Sequence, residues 1–225
     1  MTQLMSKQYT LALPLSPDAT FANYVGEAGS KLAQLHHWNL VWGQSSSGRS
    51  HLLQALCFDE TGQTSRPDRI YLGELKRLEP EVLANLEMFN VVCLDDVDDV
   101  VGHSSWEEAL FHLLNSCKDT GTQVVMAARL PAAQQDIKLA DLRSRLNSAL
   151  AVETDKLNDA QRIAVMQRRA GHWGFDLPHD VAEFILKRSP RDMVRLIDNL
   201  KRLELETLRA QRKVTIPFAK QTLRI

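Results

Sequence analysis

Eight consecutive residues carry the clearest chemistry in this chain: Gly43-Gln44-Ser45-Ser46-Ser47-Gly48-Arg49-Ser50. Two glycines set apart by a serine-rich stretch, then a cation and a hydroxyl, give the spacing of a phosphate-binding loop. Gly43 and Gly48 allow a turn whose main-chain N–H groups face one concavity, and such a concavity binds anions. The helix expected next adds unpaired N–H groups and the positive end of its dipole. Ser45, Ser46, Ser47, Gly48, Arg49, Ser50 and His51 are therefore candidate nucleotide-binding residues together with Gly43. Ser50 is placed to ligate Mg²⁺ through its hydroxyl. Arg49 stands where such loops carry Lys. Its planar, wider guanidinium keeps a cation for a di- or triphosphate but makes efficient hydrolysis less expected.

A second cluster follows. Val91-Val92-Cys93-Leu94 runs straight into Asp95-Asp96. A fully apolar run reads as a strand buried on both faces of a parallel sheet. Carboxylates at its C-terminal end lie where open α/β sheets bind ligands. Asp95 is expected to hold Mg²⁺ through its water shell, and Asp96 to orient or deprotonate an attacking water.

The elements that must position these groups alternate in type. Strands are predicted near Trp38–Trp42, Arg69–Leu72, Val91–Leu94, Thr122–Ala128 and Ala149–Val152. Helices are predicted at Ala28–His36, from the phosphate loop onward, at Glu79–Met88, at Ser104–Lys118 with Ser104 as cap, and at Ile137–Leu146. Alternation of this kind indicates a three-layer α/β fold with a parallel sheet. From Asn158 on no strand signal remains. Asn158 with Gln161 reads as a capping box opening a helix over Asp159–Trp173. Pro178–Arg188 follows, then a helix opened by Pro190 with Ser189 as cap, then a short one from Pro217. The chain thus divides into a tail (1–15), an α/β nucleotide-binding domain (16–155) and a small helical domain (156–225).

Composition narrows the classes. Hydrophobic residues make up 44% and charged residues 24%, which describes a globular protein with a sizeable core. No stretch reaches membrane-spanning length and no signal peptide opens the chain, so a cytoplasmic protein is expected. Cys57, Cys93 and Cys117 are widely spaced and read as buried reduced thiols; the histidines show no metal-ligand spacing, so no zinc site is expected. The net charge of −1 hides an asymmetry. Residues 1–154 carry 12 Lys+Arg against 19 Asp+Glu, and residues 155–225 carry 15 against 9. The basic C-terminal part either faces nucleic acid or an acidic partner, or is a solvated face.

Two segments keep alternatives open. Thr10-Leu11-Ala12-Leu13-Pro14-Leu15 is an extended peptide with apolar side chains at fixed spacing. Such a peptide either adds a first strand or docks through Leu11, Leu13, Pro14 and Leu15 into a partner's apolar pocket. Tyr24 and Val25 either line a base pocket or pack in the core.

A phosphate loop, an acidic strand end and a helical lid together make an AAA+ module. The chain resembles the AAA+ core of the bacterial replication initiator DnaA, and more closely the Hda family of DnaA-related regulators that inactivate it. The resemblance runs over nearly the whole chain and is carried by Gly48-Arg49-Ser50-His51-Leu52-Leu53, by Gln211–Phe218 and by the tail. It implies that Thr10–Leu15 is a clamp-binding peptide, with Thr10 where the family has Gln. It implies that Asp141–Leu146 is an arginine-finger motif, with Arg145 acting on a neighbour's nucleotide. It makes Arg191 a residue reaching the nucleotide from the lid. Arg129 stands at or near the place where the family has a water-orienting Asn or Asp. No helix-turn-helix domain follows the lid, so autonomous origin recognition is not expected.

The resemblance implies a regulator that binds ADP, or ATP or another nucleoside diphosphate, with Mg²⁺. It would dock on the DNA-loaded sliding clamp and stimulate ATP hydrolysis by DnaA, and homo-oligomers are expected. Two other functions stay open: a self-sufficient AAA+ ATPase acting as a homo-oligomeric remodeller, and a nucleotide-gated DNA-binding adaptor using the basic lid.

Overall fold

The computed structural model describes residues 15–32, 36–58, 66–154 and 156–225. Leu11, Leu13 and Pro14 of the expected docking peptide lie outside the described residues.

Short apolar segments form a sheet of five parallel strands: β1 (Trp38–Trp42), β2 (Arg69–Leu72), β3 (Val91–Leu94), β4 (Gln123–Ala128) and β5 (Leu150–Glu153), in the order β2-β3-β4-β1-β5. Leu40 in β1 stands opposite Met126 in β4 and Ala151 in β5, and Cys93 in β3 stands opposite Tyr71 and Val125. The two-residue period of each strand divides its apolar side chains between two layers. Leu40, Leu94 and Met126 face helices α3 (Ser104–Thr120) and α4 (Ala140–Ser148), packing with Leu110, Leu114, Leu142 and Leu146. Val41, Cys93 and Val125 face α1 (Ala28–Lys31) and α2 (Arg49–Leu56), packing with Ala28, Leu52, Leu53 and Leu56. Burial on both faces explains why these strands read as unbroken apolar runs. All three cysteines are free and buried.

The C-terminal part has its own core. Helices α5 (Asp159–His172), α6 (His179–Arg188), α7 (Met193–Ala210) and α8 (Ile216–Leu223) enclose Met166, Ile185, Leu196, Leu200, Leu203 and Ala219. The expected capping box is present: Asn158 accepts from the Gln161 N–H while the Gln161 side chain accepts from the Asn158 N–H. Among the described residues no helix is long and apolar enough to cross a membrane.

Several expected elements differ. The helix predicted over Glu79–Met88 is instead a pair of 3₁₀ turns, Pro80–Leu83 and Leu86–Met88. Asn85 between them is left-handed at φ 64°, a conformation Asn tolerates and a helix excludes. The predicted helix at Ala28–His36 is observed as Ala28–Lys31, and residues 33–35 are outside the described set. His103, not Ser104, caps α3, and its side chain makes no capping bond. Asp192 rather than Ser189 caps α7, accepting from the Val194 N–H, so Pro190 and Arg191 precede the helix.

The start of α4 moves from Ile137 to Ala140, with Leu139 extended as its cap. Glu107, 1% exposed, accepts hydrogen bonds from the main-chain N–H groups of Gly102, Lys138 and Leu139. These bonds anchor the segment that leads into α4. Burial alone would raise the Glu107 carboxyl, but the N–H groups of Lys138, Leu139 and Gly102 outweigh it and hold it below the ordinary carboxylate value.

Candidate functional site

The phosphate-binding sequence folds as a tight loop at the C-terminal end of β1. Gly43 N–H donates to the Ala128 carbonyl of β4 at 3.2 Å, which holds the loop's entry against the sheet. Ser46 and Gly48 then take positive φ values of 63° and 90°, and α2 starts at Arg49. Gly48 is required for space as well as for φ: a Cβ there would sit 2.9 Å from the Tyr24 ring. Thr154, just past β5, binds the same loop. Its N–H donates to the Trp42 carbonyl at 2.8 Å and its hydroxyl lies 2.7 Å from Ser47 Oγ. A Cβ on Gly43 would meet that Thr154 hydroxyl at 1.9 Å, so the loop and the β5 end fit only with glycine at 43.

The acidic strand end faces the loop. Asp95 is 2% exposed; its Oδ2 accepts from Tyr71 Oη at 2.8 Å and its Oδ1 from the Asp96 N–H at 3.0 Å. Burial, and then the Asp95 charge, push the Tyr71 phenol far above its ordinary value, so it remains a donor. Asp96 is paired with the loop's own cation: Arg49 Nη2 donates to Asp96 Oδ1 at 3.1 Å. Burial and the adjacent Asp95 raise the Asp96 carboxyl above its ordinary value, and Arg49 offsets them only in part. Arg129, at the end of β4, is spoken for by Asp98 and Asp99, and Lys76 also reaches Asp99 at 3.2 Å.

Two cavities meet at Ser46, Ser47, Leu157 and Met193. The smaller, about 360 Å³, is walled by Tyr24, Val25, His51, Val165, Arg169 and Ile197. His51 is turned away from the loop: its Nε2 donates to the Thr20 carbonyl at 2.7 Å and its ring packs against Tyr24. Burial holds the His51 imidazole below its ordinary value, so it is a neutral wall rather than a phosphate cation. The larger cavity, about 580 Å³, holds Gly43, Ser45 and the cations Arg129, Lys156, Arg162 and Arg191. Arg191 Nη2 pairs with Asp159 at 3.1 Å on the cavity rim. Arg49 Nη1 and Arg162 Nε are buried N–H groups without a protein acceptor. Buried donors without acceptors are costly, and an anion at the loop would satisfy them. The smaller cavity joins apolar walls to the start of the loop's own helix, since Gly48, Arg49 and Ser50 also line it, and the larger adds further cations; together they suit a nucleotide's base and its phosphates. The Ser50 hydroxyl, the Asp95 carboxylate and phosphate oxygens are the hard oxygen donors that Mg²⁺ takes.

The expected loop, Asp95, Asp96, Tyr24, Val25, His51 and Arg191 are thus brought together. Arg145 and Leu15 are elsewhere. Leu15 is half-buried and packs on the apolar cluster around Val41. Arg145 is half-buried on α4. Its guanidinium lies 4.8 Å from the Phe111 ring centroid and 5.4 Å from that of Trp38, Nη2 bonds Asn115 Oδ1, and Nε has no acceptor. The sequence reading had no signal for Tyr71, Thr154, Arg162 or Arg169, because their roles depend on partners far away in the chain.

Comparison with known proteins agrees with this arrangement. Residues 80–153 match the family model for the bacterial DnaA ATPase domain, and residues 159–223 match that for the Hda lid domain. Domain III of the Thermotoga maritima replication initiation protein DnaA is similar over 94% of this chain and 98% of its own, at 19% identity and a TM-score of 0.73. DnaA from Aquifex aeolicus in its AMPPCP-bound form is similar over 85% of this chain and 67% of its own, at 20% identity and 0.65. The Thermotoga maritima Holliday-junction motor RuvB is similar over 88% of this chain and 64% of its own, at 15% identity and 0.61. A five-stranded parallel sheet, a phosphate loop at the end of β1 and a lid of the Hda type make this chain a Hda- and DnaA-related AAA+ protein.

Proposed function

We propose that this chain is a regulator of replication initiation that holds a nucleoside diphosphate, ADP with Mg²⁺, and acts in trans on ATP bound to DnaA. It docks on the DNA-loaded sliding clamp through residues 11–15 and presents Arg145 to the initiator's γ-phosphate. The observation that carries this function is the match of residues 159–223 to the Hda lid behind a phosphate loop whose cation is Arg49. Without nucleotide, the residue expected to activate water is paired with that cation. Nucleotide there serves to hold the shape of the molecule. The loop N–H groups, Arg49 and Arg191 would bind the phosphates; Ser50 and Asp95 would hold Mg²⁺, which supplies charge neutralisation between phosphate oxygens.

Arg145 is stored at low cost. Leaving Phe111 and Trp38 gives up two cation–π contacts, each about 0.5–1 kcal/mol at exposed sites, and the Asn115 bond, about 1.5–3 kcal/mol. It also releases the buried, unpaired Nε into solvent, worth about 1–3 kcal/mol in return. The docked side chain is therefore favoured by about 2 kcal/mol, a bias that a partner's phosphate can overcome. The test is ATP hydrolysis by DnaA with loaded clamp and this protein. Stimulation is expected, and Arg145→Ala should abolish it, since such trans arginines contribute roughly 10³–10⁵ in rate. Undiminished stimulation by Arg145→Ala removes the proposed role.

A further inference from the structure

Residues 15–25 cross from the core to the lid along the wall of the smaller cavity, and the phosphate-binding groups make no use of most of them. On the core side, Ser16 N–H donates to Gln54 Oε1 at 2.8 Å, and His51 Nε2 donates to the Thr20 carbonyl at 2.7 Å. Both partners lie on α2, the helix that starts at the phosphate loop. On the lid side one carboxylate collects three groups from the end of α5. Asp18 Oδ1 accepts from Trp173 Nε1 at 3.0 Å and lies 3.3 Å from His172 Nε2; Asp18 Oδ2 pairs with Arg169 Nη1 at 3.2 Å. Asn23 Nδ2 donates to the Asp18 carbonyl at 3.0 Å, which stiffens the strap, and Arg168 Nη1 donates to the Tyr24 carbonyl at 3.1 Å. Asn23, Tyr24, Val25 and Arg169 then line the cavity itself.

The strap is stapled to α2 at one margin of the cavity and to α5 at the other. Arg169 has a side chain only 12% exposed, and Asp18 is its one ion partner among the described residues. Removing that carboxylate leaves a buried guanidinium unpaired, which is the costly way to break such a pair. The unpaired Arg169 regains water only if α5 moves away from the strap, and that movement opens the cavity.

Resting on the nucleotide-binding function proposed above, we infer that Asp18 is a positioning residue for the bound nucleotide. Through Arg169, His172 and Trp173 it latches α5 to the strap, holds the lid over the base side of the cavity and slows release of a nucleoside diphosphate.

The experiment follows a fluorescent ADP released from the full chain, beside equilibrium binding of inorganic pyrophosphate. Asp18→Ala should speed ADP release roughly tenfold or more, in line with losing a charge-assisted hydrogen-bond cluster. Asp18→Glu should restore most of the retention, and Trp173→Phe, which drops one donor and keeps the ion pair, should fall between. Pyrophosphate fills only the phosphate side, so its affinity should not change in any variant. If Asp18→Ala does not fold, Asp18→Asn carries the test, because it keeps an acceptor for Trp173 and removes the charge. ADP release unchanged in the Asp18 variants, with normal binding by the wild type, overturns the latch and leaves the nucleotide function standing. Equal weakening of ADP and pyrophosphate makes Asp18 merely structural and also overturns it. A wild type that binds no ADP removes the nucleotide function and the latch with it.

Discussion

Arg49 should exchange one anion for another when nucleotide binds, and the exchange can be weighed. In the structure its Nη2 lies 3.1 Å from Asp96 Oδ1; the arginine side chain is 8% exposed and the aspartate side chain 39%. Coulomb attraction at that distance is about 5 kcal/mol for an effective dielectric of about 20. Solvent screens the more exposed Asp96, and fully exposed pairs are worth only about 0.2–1 kcal/mol. A pair buried at one end and half-open at the other should couple by about 2 kcal/mol. The assay is a double-mutant cycle on urea unfolding, with Arg49→Met, Asp96→Asn and the double variant, each measured without ligand and with saturating ADP. Without ligand the coupling should be about 2 kcal/mol. With ADP it should fall toward zero, because the phosphates take over the guanidinium and Asp96 is released. Arg49→Met alone should also lose most of the stabilisation that ADP confers on the wild type. A coupling energy that ADP leaves untouched would mean that Arg49 never turns to the phosphates. The P-loop cation would then be a structural counter-ion to Asp96, and the account of a nucleotide held by this loop would fail.

Two further predictions follow from the same geometry. Gly48→Ala puts a methyl group 2.9 Å from the Tyr24 ring at a residue with φ 90°. ADP affinity measured by titration calorimetry should fall at least tenfold while the unfolding midpoint shifts by only a few degrees; retained affinity would show that the loop is not the binding element. Glu107→Gln weakens the N–H bonds that anchor the segment leading into α4, costing about 1.5–3 kcal/mol at neutral pH in urea unfolding. The folded Glu107 carboxyl lies below its ordinary 4.5, so its stabilisation is present above that value and is lost as pH falls through the depressed one. Glu107→Gln should therefore flatten the acid side of the stability profile, and an unchanged profile would show that the carboxylate does not titrate with folding.

What could be read in the sequence is what short stretches decide by themselves. The phosphate loop, the apolar strands and the Asn158 capping box all depend on residues within a few positions of one another. The structure has each of them where the sequence puts it, with strand ends shifted by a residue. The reading goes astray where a distant group overrides local preference. Residues 137–139 have helical composition, yet the helix starts only at Ala140, and the N–H groups of Lys138 and Leu139 donate to Glu107 from thirty residues upstream. Ser104 and Ser189 have capping side chains, but Ser104 is already the first residue of its helix, after His103, and Asp192 caps α7. The site shows the same division. Its phosphate-facing half is contiguous and visible. Its other half, Tyr71 on Asp95, Thr154 on Ser47 and Asp18 on Arg169, is assembled by pairing across the sheet and between core and lid.

That division bears on mechanism. A contiguous loop can bind phosphate in any AAA+ protein, so it cannot by itself say whether the chain turns nucleotide over or merely keeps it. The long-range contacts carry that difference. Arg49 on Asp96 holds the expected catalytic carboxylate in an ion pair, and Tyr71 together with the Asp96 N–H engages both oxygens of Asp95. The Asp18 cluster ties the lid to the strap beside the smaller cavity. Phosphates would draw Arg49 off Asp96, so of these contacts the Asp18 cluster is the one that bears on release once nucleotide is bound. A chain built to release would have to loosen the lid in every cycle, at the cost of the Asp18–Arg169 ion pair each time. A chain built to hold need not. In the proposed function the arginine that would act on a triphosphate is the one outside this site, Arg145, resting half-buried between two aromatic rings.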